Sequence, residues 1–194
     1  MSKTLIGLVQ AFIGESQARN RYNIYAKIAT KEGYEQIAEI FNITADNERV
    51  HAKNFWRAAH TVMDKTGESM PMITVDAMAP LKVGNTADNL KAAIEGETHE
   101  HTTMYPEIAD TADKEGFKAI ADQVRAIAHA EVHHAERYKA LLKEVEANTV
   151  FKKDKPTRWV CRECGYIHEG DEPPEQCPSC FHPRAFFEVF CEAY

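Results

Sequence analysis

Residues 48–55 read Glu48-Arg49-Val50-His51-Ala52-Lys53-Asn54-Phe55, and residues 131–138 read Glu131-Val132-His133-His134-Ala135-Glu136-Arg137-Tyr138. Both segments set Glu and His three residues apart, side by side on one helix face. They are equivalent positions of an internal repeat. At an offset of 83, Ile37, Phe41, Thr44, Glu48, His51, Phe55, Ala58 and Val62 map onto Ile120, Val124, Ile127, Glu131, His134, Tyr138, Leu141 and Val145. Each set steps alternately by four and three residues. That period is one face of a helix.

Upstream of each repeat lies a second match. Gly14-Glu15-Ser16 corresponds to Gly96-Glu97-Thr98 at offset 82, and Lys31-Glu32-Gly33-Tyr34 to Lys114-Glu115-Gly116-Phe117 at offset 83. In the latter, Gly falls where a helix C-terminus favours it. Helices are expected at about 3–31, 34–64, 87–113 and 117–147, the third distorted near Pro106. Thr86 is the expected N-cap of the third helix, with Asp88 in its first turn. Residues 66–85 carry Gly67, Pro71, Pro80 and Gly84, a long connection with little regular structure. Two similar helical hairpins joined by a long crossover describe a mainly α fold, a four-helix bundle.

Carboxylates occupy apolar positions in this pattern. The first helix presents Leu5, Leu8, Phe12, Glu15, Tyr22 and Ala26; the third presents Leu90, Ile94, Glu97, Met104 and Ile108, with Glu100 one turn on from Glu97. Each helix thus aims at least one carboxylate inward. An unpaired buried carboxylate costs several kcal/mol. Five in one bundle need a shared counter-charge, and no core-facing Lys or Arg at that level supplies enough. Two multivalent cations would. Glu15 and Glu97 from single positions, with Glu48/His51 and Glu131/His134 from the repeats, match the di-iron carboxylate arrangement of ferritin-like bundles. Hard oxygens with a few imidazoles suit iron or manganese. A lone Glu-x-x-His is usually a solvated pair; its duplication in register is what points to metal. Tyr22 and Tyr105 face the same level, either as core tyrosines or as hydrogen-bond donors to ligand carboxylates. His101, His129 and His133 are expected outside the ligand set or on the surface.

All five cysteines follow residue 160. Cys161-x-x-Cys164 and Cys177-x-x-Cys180 are separated by 12 residues, and Cys191 is left over as an expected free thiol. Four thiolates at this spacing suit tetrahedral zinc or iron. A tail of roughly 37 residues cannot rely on apolar burial alone, so the metal would also support folding. Trp159, Tyr166, Phe186 and Phe187 are available to cover it. The organisation read from the chain is a bundle over 1–147, a polar linker over 148–157 and a small β-rich metal-binding domain over 158–194.

Composition narrows the function. The chain has 194 residues, 44% hydrophobic and 27% charged, with a net charge of −7. An acidic chain without a Lys/Arg run argues against nucleic acid and anionic membranes. No apolar stretch approaches the ~20 residues that span a bilayer. The N-terminus lacks an apolar core followed by a small-residue cleavage site, so a cytoplasmic location is expected. No Gly-x-Gly-x-x-Gly occurs, so NADH is not expected to bind directly.

The segments Gly14-Glu15-Ser16-Gln17-Ala18-Arg19, Glu48-Arg49-Val50-His51, Gly96-Glu97 with Glu100-His101 and Met104-Tyr105-Pro106, Glu131 to Tyr138, and the tail from Trp159 to Phe187 resemble the rubrerythrin family over essentially the whole chain. The resemblance implies a ferritin-like di-iron bundle with a rubredoxin-like tail and three Fe per chain: one oxo-bridged di-iron centre and one iron held by the four thiolates. It implies reduction of hydrogen peroxide to water in oxidative stress defence. Electrons would come from an NAD(P)H-dependent reductase, or through a free rubredoxin. It further implies that one iron exchanges His51 for Glu100 as the redox state changes. A ten-residue linker reaches at most ~35 Å, whereas a 30-residue helix is ~45 Å long. Delivery of electrons to a partner subunit in a homodimer, or a higher homo-oligomer, is therefore expected. The alternatives are a ferroxidase or iron-handling protein on the same bundle, and an electron carrier with a structural bundle metal.

Overall fold

The computed structural model describes residues 1–192; the last two residues of the expected tail lie outside the described residues. The chain forms α1 (Lys3–Lys31), α2 (Glu35–Thr66), α3 (Thr86–His99), a π-helical turn (Glu100–Met104), α4 (Tyr105–Lys114) and α5 (Lys118–Glu146). A small sheet follows, with β1 (Thr157–Cys161), β2 (Ile167–Gly170) and β3 (Phe187–Val189). α1 packs on α2, and α3 and α4 pack on α5, giving four rods with 67–85 as the crossover. No described helix is long and apolar enough to cross a membrane.

The helix ends follow from local chemistry. Gly33 and Gly116 adopt φ of +83° and +84°, a conformation that costs glycine little. The following amides close both turns: Tyr34 N–H donates to Ala29 O (2.9 Å) and Phe117 N–H to Ala112 O (2.8 Å). The third helix corrects one expectation. Its N-cap is Asn85, whose side chain accepts from Asp88 N–H at 2.9 Å, and Thr86 is the first helical residue with a buried side chain. Asn offers the same cap one residue earlier.

The expected distortion near Pro106 is the π-helical turn. Pro106 has no N–H, and its ring would crowd the carbonyl four residues back; a widened turn relieves both. Tyr105 N–H accordingly bonds Glu100 O, five residues back. Side chains serve carbonyls near the widened turn: Thr102 Oγ1 donates to Thr98 O (2.6 Å), and His101 Nδ1 lies 2.7 Å from Glu97 O. The slip between the two repeat offsets records this extra residue. Seven residues separate Glu15 from Tyr22, whereas eight separate Glu97 from Tyr105.

The interior holds two apolar clusters. One gathers Leu5, Leu8, Phe55, Val62, Tyr105, Ile120 and Val124; the other gathers Tyr22, Tyr25, Ile37, Phe41, Leu90 and Tyr138. The buried acidic residues fall between them in sequence on every rod. In the tail, the order β2-β1-β3 is antiparallel, pairing Trp159 with His168 and with Val189. Trp159 and Phe187 are buried beside Cys161 and Cys177, with Tyr166 and Phe186 packed against them. The tail rests beside the α1–α2 turn. Arg162 pairs with Glu39 of α2 and with Glu188. Tyr34 and Phe151 stack at 6.1 Å.

Glu115 caps α1 from across the fold. Its carboxylate accepts from Lys3 N–H (2.9 Å), Thr4 N–H (3.1 Å) and Ser2 Oγ. Slight burial opposes ionisation, but these donors hold its carboxyl down to about 2. The folded value lies below the ordinary one, so its stabilisation is present above pH 4.5 and fades as pH falls through about 2. Glu115→Ala is expected to cost about 0.5–1 kcal/mol at pH 7, and to lower Tm by a few °C. Thermal unfolding at pH 7 and pH 2 checks both the size and its disappearance in acid.

Candidate metal centre

Midway along the bundle, two sets of ligand atoms share two carboxylates. Glu15, Glu48, His51 and Glu131 form one set, and Glu48, Glu97, Glu131 and His134 the other, each within 4.8 Å. His51 Nδ1 lies 2.9 Å from Glu131 Oε1, 3.0 Å from Glu48 Oε2 and 3.6 Å from Glu15 Oε1. His134 Nδ1 lies 2.7 Å from Glu131 Oε2, 3.3 Å from Glu48 Oε1 and 3.4 Å from Glu97 Oε2. Glu48 and Glu131 therefore give one oxygen to each set. Atoms bound at about 2.1 Å to a common ion stand about 3 Å apart at right angles, which is the spacing here.

Hydrogen bonding leaves this layer unsatisfied. Both oxygens of Glu48, both of Glu131, Glu97 Oε2, His51 Nδ1 and His134 Nδ1 are buried without a hydrogen-bond partner. Each imidazole nitrogen faces three carboxylate oxygens with at most one proton to give. A pair of cations satisfies all seven atoms, so the residues fit a binuclear site.

The two tyrosines act as donors. Tyr105 Oη–H donates to Glu15 Oε1 at 2.5 Å, and Tyr22 Oη–H to Glu97 Oε1. Each thus fixes the terminal carboxylate on the opposite rod. Burial, and then the neighbouring carboxylates, push both phenols well above their usual range, so they stay protonated. Burial likewise raises the carboxyls of Glu15 and Glu97, the latter to about 8. Burial opposes protonation of His51 and His134, but the facing carboxylates raise both to about 12. Burial alone would raise Glu131; the two imidazoles outweigh it and lower it. These are the charges of a layer built around cations.

Glu100 belongs to neither set. It sits half-buried on the π turn, where burial and repulsion from Glu15, Glu97, Glu131 and Glu48 push its carboxyl well up. His101 bonds the Glu97 backbone, and His129 and His133 are exposed. Sequence reasoning gave no role to Gly14 and Gly96, which line a cavity together with Glu100. Their equivalence in the repeat was the available signal.

The tail gathers its own set. Cys161, Cys164, Cys177 and Cys180 lie within 4.8 Å of one another, with Sγ···Sγ distances of 3.6 Å (161–180) and 3.7 Å (164–177). A tetrahedron with ~2.3 Å metal–sulfur bonds has edges of ~3.8 Å. The knuckles repeat: Gly165 N–H donates to Cys161 O (2.8 Å) and Phe181 N–H to Cys177 O (2.9 Å). The Tyr166 backbone N–H brings Cys164 down to about 6. Cys191 is free and exposed.

Comparison with known proteins accounts for both parts. The family model described as Rubrerythrin matches residues 7–142, and that for the rubrerythrin rubredoxin-like domain matches 159–188. A putative rubrerythrin of Methanocaldococcus jannaschii is 61% identical over 195 residues, covering 100% of this chain and 96% of the relative. Rubrerythrin of Nitratidesulfovibrio vulgaris is 42% identical, covering 97% and 94%. A solved structure of nigerythrin in a partially reduced state superposes with a TM-score of 0.62 at 32% identity, covering 98% and 88%. The ferritin-like bundle with its di-iron site and the rubredoxin-like four-cysteine iron site are thus joined in one polypeptide, and the chain belongs to the rubrerythrin family.

Proposed function

We propose that this chain is a non-haem di-iron peroxidase that reduces hydrogen peroxide to water in the cytoplasm. The observation that carries this reading is the coexistence of two buried cation sites sharing Glu48 and Glu131 with a separate tetrathiolate site. The proposed ligands are Glu15, Glu48, His51 and Glu131 for one metal, and Glu97, Glu48, Glu131 and His134 for the other. Glu100 is the ligand that exchanges with His51, and Cys161, Cys164, Cys177 and Cys180 hold the third metal. When bound, the paired irons would supply one electron each and Lewis acidity at both oxygens of one O–O bond.

The chain's own residues do the rest. Glu48 and Glu131 hold both half-sites in register, and Tyr22 and Tyr105 keep Glu97 and Glu15 oriented without giving up their protons. The apolar clusters on either side limit water. The domains act as 1–147 for the chemistry, 148–157 as connector and 158–194 for electron entry.

Electrons would cross between subunits. The tail is pinned beside the turn of its own bundle. A groove of ≈ 440 Å³ between α1 and α2 is lined by Arg19, Arg49, Lys53 and Trp56, next to Ala52 and the His51 side of the metal layer. Glu163, Glu169, Asp171, Glu172, Glu175 and Glu188 make the tail acidic. The groove suits the tail of a second copy by charge, in a homodimer fed by an NAD(P)H-dependent reductase.

Cys161→Ser tests the relay. Reductase-coupled turnover should fall by at least about a hundredfold, while chemically reduced protein still consumes hydrogen peroxide once per site. Full coupled turnover would sink the relay. Arg49→Glu with Lys53→Glu should slow coupled turnover about tenfold and remove much of its salt dependence. Iron storage is the competing reading, and uptake well beyond the two sites in the bundle and one in the tail would favour it.

A further inference from the structure

A second opening lies on the other side of α1 from the α1–α2 groove. A cavity of ≈ 300 Å³ lies between α1, the α3–π segment and the crossover, and Glu100 lines it. Gly14 and Gly96, each one residue before a terminal carboxylate of the metal layer, also line it. A Cβ at Gly14 would meet nothing within 4 Å, and one at Gly96 would meet only Arg21 Nη2 at 4.0 Å. Glycine inside a helix costs about 1 kcal/mol against alanine, so open space here is kept at the expense of helix stability. The outer wall is crossover chain, fixed by Gln10 Nε2 donating to Asp76 O (2.8 Å) and Gln17 Nε2 donating to Met78 O (2.7 Å).

The lining sorts by chemistry. Met78, Pro80 and Met104 supply apolar wall; Gln10, Gln17, Arg21 and His99 add polar groups, and Glu100, which feels the charges of Glu15, Glu97, Glu131 and Glu48, marks the side of the metal layer. Hydrogen peroxide needs about two water volumes, ~60 Å³, a fraction of this space. Met78 in the apolar wall is 75% exposed, so that wall offers solvent-facing apolar surface which hydrogen peroxide, a small polar molecule, does not cover. We infer that this cavity is the substrate entrance and that it admits short-chain alkyl hydroperoxides as well as hydrogen peroxide. The alkyl group rests on Met78, Pro80 and Met104, and the –OOH group points to Glu100. The inference rests on the peroxidase reading and extends its substrate class. The balance is ROOH + 2 e⁻ + 2 H⁺ → ROH + H₂O: the O–O bond breaks, and the electrons come from the same reductase-fed donor.

The experiment uses the full, metal-loaded chain with tert-butyl hydroperoxide, hydrogen peroxide and azide. Gly14→Leu/Gly96→Leu fills the cavity from the bundle side, and Met78→Trp fills it from the crossover without touching a helix. Both should cut kcat/KM for tert-butyl hydroperoxide by at least about tenfold, and that for hydrogen peroxide less. Both should also slow azide binding, followed by its charge-transfer absorption. Gly14→Ala/Gly96→Ala, which adds only one methyl group at each position, should lower these rates less than the leucine pair does and raise Tm. Unchanged azide and peroxide rates in both filled variants would overturn the entrance. Wild-type turnover of hydrogen peroxide without tert-butyl hydroperoxide would overturn the substrate class and leave the peroxidase reading standing. Turnover of neither would overturn both. Slower iron loading alone would make the cavity a metal route and overturn the inference.

Discussion

Glu131→Ala is expected to empty the bundle of its metal pair and to lower peroxide turnover by at least about a thousandfold, roughly 4 kcal/mol of lost transition-state stabilisation. The reason is placement. Glu131 is fully buried and offers one oxygen to His51's half-site and the other to His134's, at 2.9 and 2.7 Å. Removing it takes a ligand from both metals at once and leaves two imidazoles facing one fewer carboxylate. Loss of Glu15 should cost less, because Glu15 serves one half-site only. Metal analysis and the visible spectrum separate the outcomes, with the tail iron as internal control for folding and iron supply. A Glu131→Ala protein that keeps two bundle metals and turns over peroxide at the wild-type rate would overturn the assignment of Glu131 as the shared ligand.

The metal layer was legible because it violates the apolar pattern. Glu15, Glu48, Glu97 and Glu131 stand where Leu or Ile would continue the helical stripe, and a repeat makes the violation twofold. The bundle was legible for the same reason, since alternate steps of four and three persist over whole helices. The π turn was harder to read: a widened helix has no composition of its own, and only the slip from offset 82 to 83 encodes it. Asn85 and Thr86 are adjacent residues that can both cap, so the helix start was readable only to within one residue, and Asn, the stronger cap, takes the position. The seating of the tail was not legible. It depends on Arg162 with Glu39 and on Tyr34 with Phe151, pairs far apart in the chain with no local signature.

The second large effect is expected on removing the bundle metals. Without them, protons take the place of cations in the layer. Burial holds protons on Glu15 and Glu100 well above the ordinary carboxylate range, and on Glu97 to about 8; carboxylates hold them on His51 and His134 to about 12. All five folded values lie above the unfolded ones. Their stabilisation is therefore complete at low pH and declines as pH rises, from 4.5 for the carboxyls and 6.5 for the imidazoles. Glu131 has the opposite sign, but its window lies below pH 4.5. Each excess proton in the folded state costs about 1.4 kcal/mol per pH unit. Metal-free protein should thus lose several kcal/mol between pH 5 and 9, on the order of 10 °C in Tm. Loaded protein should show little of this slope, because its ligands are already deprotonated. Ferrous or manganous ion added to metal-free protein at pH 7 should release protons, measurable with an indicator dye in weak buffer. Parallel Tm curves for the two forms from pH 5 to 9 would mean that the carboxylate layer is not what the metals neutralise.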